Sequence, residues 1–159
     1  MLFTVITPTT GNILLKKLLL SINTQTYSEK IEHLIIVDGL KFKECTDIIL
    51  NEIPANENID RFIIYLPFST NEFHQYLGHQ IYSAFCQLAR GDYILMLDDD
   101  NYIDNDHLQI YSEMINNNNY DWLFCLRKIV DHEKVLCLDN CESLGFLSNV
   151  FYNENDYLI

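Results

Sequence analysis

The sequence predicts an α/β protein built on a mostly parallel sheet with helices on both faces. Short runs rich in β-branched and aliphatic residues alternate with longer segments of helical periodicity, which is the pattern of strand–helix–strand units with right-handed crossovers. In such a sheet the carboxyl ends of the strands share one edge, and three of the four predicted parallel strands end in polar residues. We therefore expect a ligand crevice at that edge.

Length and composition restrict the possible classes of protein. With 159 residues, of which 48% are hydrophobic, the chain is long enough for one domain with a substantial core, which we assign to residues 1–159. The net charge of −13 makes nucleic acid and anionic membrane surfaces poor partners for the protein as a whole. An anionic small ligand would need a bridging cation.

The predicted strands and helices follow one another along the chain. Pro8 is expected to stop the first strand, and Asn12 is the expected N-cap of the first helix. The predicted strands span residues 3–7, 33–37, 61–66 and 93–97. Two predicted helices span residues 12–23 and 81–89. A third ends at residue 50, and a fourth begins after residue 104. Residues 122–130 and 134–138 predict two further strands joined by a polar turn.

Three of the predicted helices carry apolar stripes that should pack on the sheet. The expected buried positions are Ile13, Leu14, Leu18 and Ile22, then Ile81, Ala84, Phe85, Leu88 and Ala89, and finally Leu108, Tyr111, Met114 and Ile115.

The fourth strand and its end form the most informative segment. Residues 93–97 lead directly into Asp98, Asp99 and Asp100, so we expect a strand buried on both faces that carries three acids to the ligand-binding edge. Clustered carboxylates repel one another unless a cation compensates, and hard oxygen ligands suit Mg²⁺ or Mn²⁺. The simpler alternative is an acidic loop before a helix capped by Asp104, which does not explain three acids at a strand end.

The five cysteines are expected to be reduced. Their odd number, together with an N terminus that lacks a secretory signal, favours a cytoplasmic protein. Cys125, His132, Cys137 and Cys141 could form a zinc site, but their spacing matches no common zinc pattern, and we prefer buried structural cysteines. Two lysines interrupt the longest apolar run, so no membrane span is predicted.

Several common functional motifs are missing from the chain. There is no glycine-rich dinucleotide fingerprint, no Walker loop and no nucleophile elbow. The calcium-loop pattern fails at Tyr102, where an oxygen ligand should stand. Phosphatases of the haloacid dehalogenase type also carry Asp-x-Asp after a strand, but there the pair usually follows the first strand. That class is the less favoured alternative.

Five segments of the chain form a combination that points to a known family. The first three are Thr4-Val5-Ile6-Thr7-Pro8-Thr9, Ile36-Val37-Asp38-Gly39, and Ala89-Arg90-Gly91-Asp92-Tyr93-Ile94 followed by Leu97-Asp98-Asp99-Asp100. The other two are Leu126-Arg127-Lys128-Ile129 and Asp139-Asn140-Cys141-Glu142-Ser143-Leu144-Gly145. All five resemble segments of family 2 glycosyltransferases of the GT-A (nucleotide-diphospho-sugar transferase) fold, and the last two are similar to the acceptor half of some short members. The resemblance implies a Rossmann-like sheet, a nucleotide-sugar-binding half at residues 1–101 and a partial acceptor-side half at residues 102–159.

The resemblance also implies a nucleotide pocket. Thr7, Pro8 and Thr9 would line it, and Asp38 would hydrogen-bond the base. From the residues alone, Asp38 could instead cap the next helix, and the two threonines could be turn hydroxyls bonded to backbone.

For the acidic triplet the resemblance implies the Asp-x-Asp pair of these enzymes. Asp98 and Asp100 would hold Mn²⁺ or Mg²⁺, with Asp98 nearer the ribose and Asp100 on the metal-bound diphosphate. Asp98 and Asp99 would also contact the nucleotide sugar.

On the acceptor side, the resemblance favours an acid as the base that takes the proton from the attacking hydroxyl. The candidates are Glu142, which we favour, and Asp139, although either could be a solvated loop acid. Arg127 could contact an anionic substrate group, but a surface arginine beside Asp121 or Glu142 is simpler. A core position explains Trp122 more simply than stacking on an acceptor sugar.

Together these features predict a metal-dependent glycosyltransferase that moves a sugar from a nucleoside-diphosphate sugar to a glycan or other hydroxyl acceptor, with inversion implied by the resemblance. The rival prediction is an inactive GT-A domain that only binds a nucleotide sugar or a glycan. It is prompted by a short C-terminal part, because relatives often run on to a further histidine and none follows His132. Relatives also often carry Arg and Asn where residues 78–83 contain neither.

Overall fold

The computed structural model describes residues 1–70, 78–118, 120–131 and 134–139. The chain divides into two compact units, Met1–Asn119 and Tyr120–Ile159. The elements of the first unit are β1 (Phe3–Thr9), α1 (Leu15–Asn23), β2 (Ile31–Val37), α2 (Lys43–Glu52), β3 (Ile59–Tyr65), α3 (His79–Phe85), β4 (Tyr93–Met96) and α4 (His107–Asn118). Those of the second unit are β5 (Arg127–Asp131) and β6 (Lys134–Asp139).

The first unit is built on a parallel sheet with the strand order β3–β2–β1–β4. Every residue of β1 and β2 is buried, so both faces of these central strands are covered. On one face, α3 contributes Ile81 and Tyr82 to a cluster with Ile6, Leu34 and Ile36. These findings confirm the predicted α/β class, and they place β1 between the two strands whose ends carry the candidate acids.

β1 continues through Pro8, which was expected to stop it. Pro8 pairs in register with Ile36 of β2. Alternate residues of β1 turn their backbone groups toward opposite neighbours, and the Ile6 carbonyl accepts a bond from Leu97 on the β4 side. The nitrogen of Pro8, which carries no hydrogen, therefore faces the β4 side. It lies beyond Met96, the last residue of β4 that pairs with β1. No bond between β1 and β2 is lost, which is why proline is tolerated inside this strand.

α1 begins later than predicted, at Leu15 rather than at residue 12. Asn12 instead caps a preceding turn, because its Oδ1 accepts a hydrogen bond from Leu14 N at 3.0 Å and its carbonyl accepts one from Leu15 N. The prediction that Ile13 and Leu14 are buried is wrong, since both are exposed. The buried apolar positions of α1 are Leu15, Leu18, Leu19 and Ile22.

α3 and α4 also differ from their predicted limits. α3 ends at Phe85. Ala84 and Leu88 were expected in its buried stripe, but both are exposed, Leu88 by 66% in the turn that follows. α4 begins at His107, whose N–H bonds to the carbonyl of Asp104 at 3.1 Å in the turn before the helix. Met114 of α4 is exposed, although it was expected to be buried.

The expectation that β4 is buried on both faces is wrong. β4 has four residues and is an outer strand of the sheet, paired only with β1 in the described part of the chain. Ile94 and Met96 are 39% and 56% exposed, while the alternate residues Tyr93 and Leu95 are half-buried. An apolar run cannot reveal an edge position, because that position depends on which distant segments pair with the strand.

The second unit contains the predicted hairpin, in which β5 and β6 are antiparallel and Arg127 lies opposite Asp139. Its first strand begins at Arg127 rather than at residue 122. Trp122 precedes the strand, is 64% exposed and stacks on Phe124 with ring centroids 5.8 Å apart. The prediction of a core tryptophan is therefore wrong, since a two-stranded hairpin has no interior that could enclose an indole.

The described cysteines are free, as predicted, but they are not all buried. Cys45 and Cys125 are exposed, whereas Cys86 and Cys137 are half-buried. Burial was predicted for Cys125, Cys137 and Cys141. It is wrong for Cys125, and Cys141 lies outside the described residues. Over the ranges that the structure describes, no helix is long and apolar enough to cross a membrane.

At the amino-terminal edge of the sheet, the buried carboxylate of Glu32 joins β1, β2 and the segment before β4. It accepts hydrogen bonds from Thr4 Oγ1 at 2.7 Å and from Arg90 N at 2.9 Å, and it pairs with the Arg90 guanidinium. Gly91 passes so close to β1 that a Cβ there would lie 2.6 Å from Thr4 N. Burial acts to raise the pKa of Glu32, but these hydrogen bonds and the Arg90 charge together hold it below its ordinary value.

Replacing Glu32 with Gln should lower the free energy of unfolding by about 1–2 kcal/mol at pH 7, because the Arg90 charge loses its partner. The effect is smaller than for a fully buried pair, since the Arg90 side chain is 58% exposed. The pKa of Glu32 is lowered on folding, so its contribution is present above the ordinary value of 4.5 and is lost as the pH falls below it. Urea unfolding of the wild type and of Glu32→Gln should give different free energies of unfolding at pH 7 and similar ones at pH 3.

A matched control for this substitution is Asp60→Asn. The Asp60 carboxylate lies 3.6 Å from Lys30 Nζ in an exposed pair, so its loss should cost less than about 0.5 kcal/mol. An equal loss of stability in the two variants would contradict a special role for Glu32.

β2 also carries a fully buried histidine. His33 Nε2 and Thr7 Oγ1 share a hydrogen bond of 3.1 Å, and His33 Nδ1 has no hydrogen-bond partner among the described residues. Burial, and to a lesser extent the positive charge of Arg61 on β3, lower the pKa of His33 to about 3. The imidazole is therefore neutral at physiological pH, and its protonation opposes folding.

The stability of the protein should fall as the pH decreases from 6.5 toward 3, because the unfolded chain binds a proton at His33 that the folded protein excludes. His33→Gln cannot titrate but can still bond to Thr7, so it should flatten the pH dependence by up to roughly 1 kcal/mol per pH unit. Urea unfolding at pH 7, 6, 5 and 4 gives the change of the unfolding free energy with pH for the wild type and for His33→Gln. Parallel curves for the two proteins would show that His33 does not contribute to acid sensitivity.

Candidate functional site

The carboxyl ends of β1, β2 and β4 meet at one edge of the sheet. Asp38 N donates a hydrogen bond to Thr9 O at 2.8 Å, which fixes the end of β2 beside the end of β1. On the other side, Leu97 N donates to Ile6 O at 3.1 Å just before the acidic triplet, residues 98–100. As expected from the parallel topology, Asp38 and the triplet therefore lie along the same edge.

Asp38 anchors the loop that follows β3. Its carboxylate is buried, with 2% of the residue exposed, and Thr70 N donates to Oδ1 at 2.6 Å. The hydroxyls of Ser69 and Thr70 donate to Oδ2 at 3.1 and 3.2 Å. The adjacent Gly39 has a φ of +116°, and a Cβ there would lie 3.1 Å from Ser69 N, so glycine permits the close passage of the two segments. Asp38 thus fixes one wall of the crevice.

Asp99 connects the end of β4 to the loop after β1. Its Oδ2 accepts hydrogen bonds from Thr9 Oγ1 at 2.6 Å and from Thr10 N at 3.4 Å. Burial raises the pKa of Asp99 against the lowering effect of these bonds, and the negative charge of Asp100 adds to the increase. The middle acid of the triplet therefore ties two loops together, a structural task in addition to the predicted contact with the nucleotide sugar.

Asp98 is exposed, yet its side chain is held by a residue that no sequence pattern marked as part of the site. Tyr82 of α3 donates its hydroxyl to Asp98 Oδ1 at 2.7 Å. Burial, the bond to Asp98 and the neighbouring acids raise the pKa of Tyr82, so the hydroxyl stays protonated. The only sequence signal was its place beside Ile81 in a helix with an apolar face, and that pattern indicates core packing rather than a partner 16 positions later.

Asp100 is also exposed, and none of the three aspartates forms an ion pair with a lysine or arginine that the structure describes. Among the same residues, Asp98 Oδ2 and both carboxylate oxygens of Asp100 have no hydrogen-bond partner. Oxygen ligands at this end of the sheet are therefore available to a cation.

The acidic triplet fits one mode of divalent-cation binding. In the described ranges, no three His, Cys, Asp or Glu side chains form a metal-binding group. Mg²⁺, however, is commonly held by one or two carboxylates together with the phosphates of a substrate, rather than by a cage of protein ligands. Exposed Asp98 and Asp100 match that donor set, which Mn²⁺ also accepts.

The three residues predicted to line the nucleotide pocket in β1 are all buried. Thr7 directs its hydroxyl to His33, and Pro8 lies inside the strand. Thr9 donates to Asp99, and its hydroxyl oxygen accepts a hydrogen bond from Gly11 N at 3.0 Å, as the turn-hydroxyl interpretation expects. These side chains support the edge from within.

The predicted acceptor-side acids belong to the second unit. Asp139 is 6% exposed and accepts hydrogen bonds from Arg127 Nε, at 2.9 Å, and from Arg127 Nη2. Arg127 was expected beside Asp121 or Glu142, but its partner is Asp139. Glu142 lies outside the described residues.

Comparisons with known proteins extend this description. The family model described as glycosyl transferase family 2 matches residues 4–137. No match was found among curated proteins. The crystal structure of S. aureus TarS 1–349 is similar to this chain, with a TM-score of 0.60 and 19% identity over 75% of this chain and 33% of that one. TarS 1–349 in complex with UDP and in complex with UDP-GlcNAc each give 20% identity and a TM-score of 0.58, over 75% of this chain and 33% and 32% of theirs.

The chain spans about a third of the length of these TarS structures, and identity at this level establishes a shared fold. The family match is the stronger finding, because it covers most of the chain, including β1, the end of β2 and the acidic triplet. With its parallel sheet and the acids gathered at one edge, the chain has the GT-A fold and belongs to glycosyl transferase family 2.

Proposed function

We propose that this protein is a metal-dependent glycosyltransferase that moves a sugar from a nucleoside-diphosphate sugar to a glycan or another hydroxyl acceptor. Family membership supports sugar transfer. The observation that carries the proposal is the pair of exposed carboxylates, Asp98 and Asp100, beside segments fixed by Asp38 and Asp99. No described lysine or arginine pairs with the triplet, so its charge is available for a ligand-bound cation.

UDP is the first donor nucleotide to consider, because structures of the similar TarS exist with UDP and with UDP-GlcNAc. We assign the base to the side of the crevice formed by Asp38 and the loop that it anchors. The pyrophosphate would lie on the side of the acidic triplet, with Pro8 and Thr9 between the two. In this arrangement Thr7 supports the pocket from below through its bond to His33.

Mn²⁺ or Mg²⁺ would be held by Asp98 and Asp100. A diphosphate approaching three carboxylates in a protein of net charge −13 is repelled unless a cation lies between them. Such an ion would also neutralise the charge that develops on the leaving diphosphate. Asp99 keeps the two loops together through Thr9 and so maintains the spacing of its neighbours.

The acceptor hydroxyl would attack the sugar on the face opposite the leaving diphosphate, which inverts the configuration. The bond to the diphosphate breaks through an oxocarbenium-like state, and a carboxylate takes the proton of the attacking hydroxyl. We assign this base to Glu142. Asp139 is the second candidate, but it is largely buried and bonded to Arg127, and is therefore less accessible to an acceptor.

UDP should stabilise the protein against thermal unfolding only when Mn²⁺ is present, because the diphosphate needs the cation to approach the triplet. A ligand at about 100 times its Kd contributes about 2.7 kcal/mol, which corresponds to a Tm increase of roughly 5–10 °C for a chain of this size. Asp100→Ala should abolish the increase. Glu57→Gln, an exposed acid before β3 at the opposite edge of the sheet, is the control and should behave like the wild type.

An equal increase with UDP alone, or an increase that survives in Asp100→Ala, would contradict the proposed metal site.

Release of UDP from UDP-GlcNAc in the presence of Mn²⁺ should distinguish a transferase from a domain that only binds nucleotide sugars. The wild type should release UDP slowly in the absence of an acceptor, and both Asp100→Ala and Glu142→Gln should reduce the rate at least tenfold. Metal-dependent binding without any release of UDP would favour the binding domain.

A further inference from the structure

Tyr82 is built into the hydrophobic core, yet its hydroxyl ends at the candidate site. The side chain packs in a cluster with Ile6, Leu34, Ile36 and Ile81, and 7% of the residue is exposed. This packing leaves the ring little freedom to move. The position of the hydroxyl oxygen is therefore set by the core of the protein rather than by the loop that it contacts.

Asp98, in contrast, has few constraints of its own. Its carbonyl accepts a hydrogen bond from Asn101 N at 3.0 Å, but its side chain is exposed and has Tyr82 as its hydrogen-bond partner in the described part of the chain. An exposed carboxylate occupies several rotamers in solution, whereas binding a cation beside a diphosphate requires one of them. The 2.7 Å bond from Tyr82 restrains Oδ1 and leaves Oδ2 available.

The chemistry of the donor also suits a cation site. A phenol is neutral, so it orients the carboxylate without cancelling its negative charge. A lysine or arginine at the same place would form an ion pair with Asp98 and compete with a metal ion for it. Five of the described basic residues form ion pairs, all of them elsewhere, with Glu52, Asp60, Asp47, Glu32 and Asp139.

From these observations we propose that Tyr82 is a positioning residue for the divalent cation that accompanies a nucleoside diphosphate. It acts through Asp98, by holding one carboxylate oxygen so that the other is presented to the cation in a fixed orientation. This role rests on the proposed function, and it adds to the acidic triplet a residue that lies in the core.

Tyr82→Phe removes the hydroxyl and keeps the ring, so the fold should be retained. Titration of Mn²⁺ in the presence of saturating UDP, followed by the electron paramagnetic resonance signal of free Mn²⁺, should show a Kd for Mn²⁺ about tenfold higher than in the wild type, as expected for a lost hydrogen bond to a charged group. Circular dichroism and the Tm without ligand establish that the variant is folded.

Two control variants separate positioning from stability. Tyr65→Phe removes a similar bond, from Tyr65 to Asp47, away from the triplet, and should leave the Mn²⁺ Kd within twofold of the wild type. Ile81→Val loosens the same core cluster without touching the hydroxyl, and it should lower the Tm while leaving the Mn²⁺ Kd within twofold.

The outcomes distinguish the two proposals. If the wild type binds Mn²⁺ with UDP but Tyr82→Phe binds it equally well, the role of Tyr82 is wrong and the proposed function stands. The role is also wrong if Ile81→Val weakens Mn²⁺ binding as much as Tyr82→Phe does. If the wild type binds no Mn²⁺ in the presence of UDP, the proposed metal-dependent function fails, and the role of Tyr82 fails with it.

Discussion

The parallel pairing of β1 with β2 on one side and with β4 on the other is the constraint on which the rest of the structure depends. It places the ends of two strands that are about 60 residues apart in sequence along one edge. At the amino-terminal ends of these strands, the buried Glu32 carboxylate joins β1, β2 and the segment before β4 through Thr4 and Arg90. The register is thus fixed at one end of the sheet, and the acids are collected at the other.

The three consecutive aspartates have three different environments. Asp98 is held by a tyrosine from the core, Asp99 is tied to the loop after β1, and Asp100 is exposed. The hydrogen bonds of Asp98 and Asp99 therefore fix the shape of the acidic segment. They limit how far the exposed carboxylates can move apart when their charges repel one another. For the cation that we propose, the site would therefore be largely pre-organised before a ligand binds.

The sequence allowed the parallel sheet and the shared edge to be predicted, because apolar runs and strand–helix alternation are local patterns. It did not indicate that Ile94 and Met96 would be exposed, since an edge strand and a central strand can have the same composition. Nor did it indicate the bond between Tyr82 and Asp98, because that contact depends on how α3 packs against β1 and β2. Local patterns locate the acids, and tertiary packing decides how each acid is held.

Pro8 has a further consequence for how the crevice opens. If β4 continued to pair with β1 beyond Met96, the next ladder bond would run from the N–H of residue 8 to the carbonyl of Leu97, and proline has no N–H to donate. That bond of the ladder therefore cannot form, and the pairing of β4 with β1 ends at Met96, two residues before the acidic triplet. The missing N–H group of Pro8 thus helps to end the ladder before the acidic triplet, so the aspartates lie in a loop rather than in a paired strand.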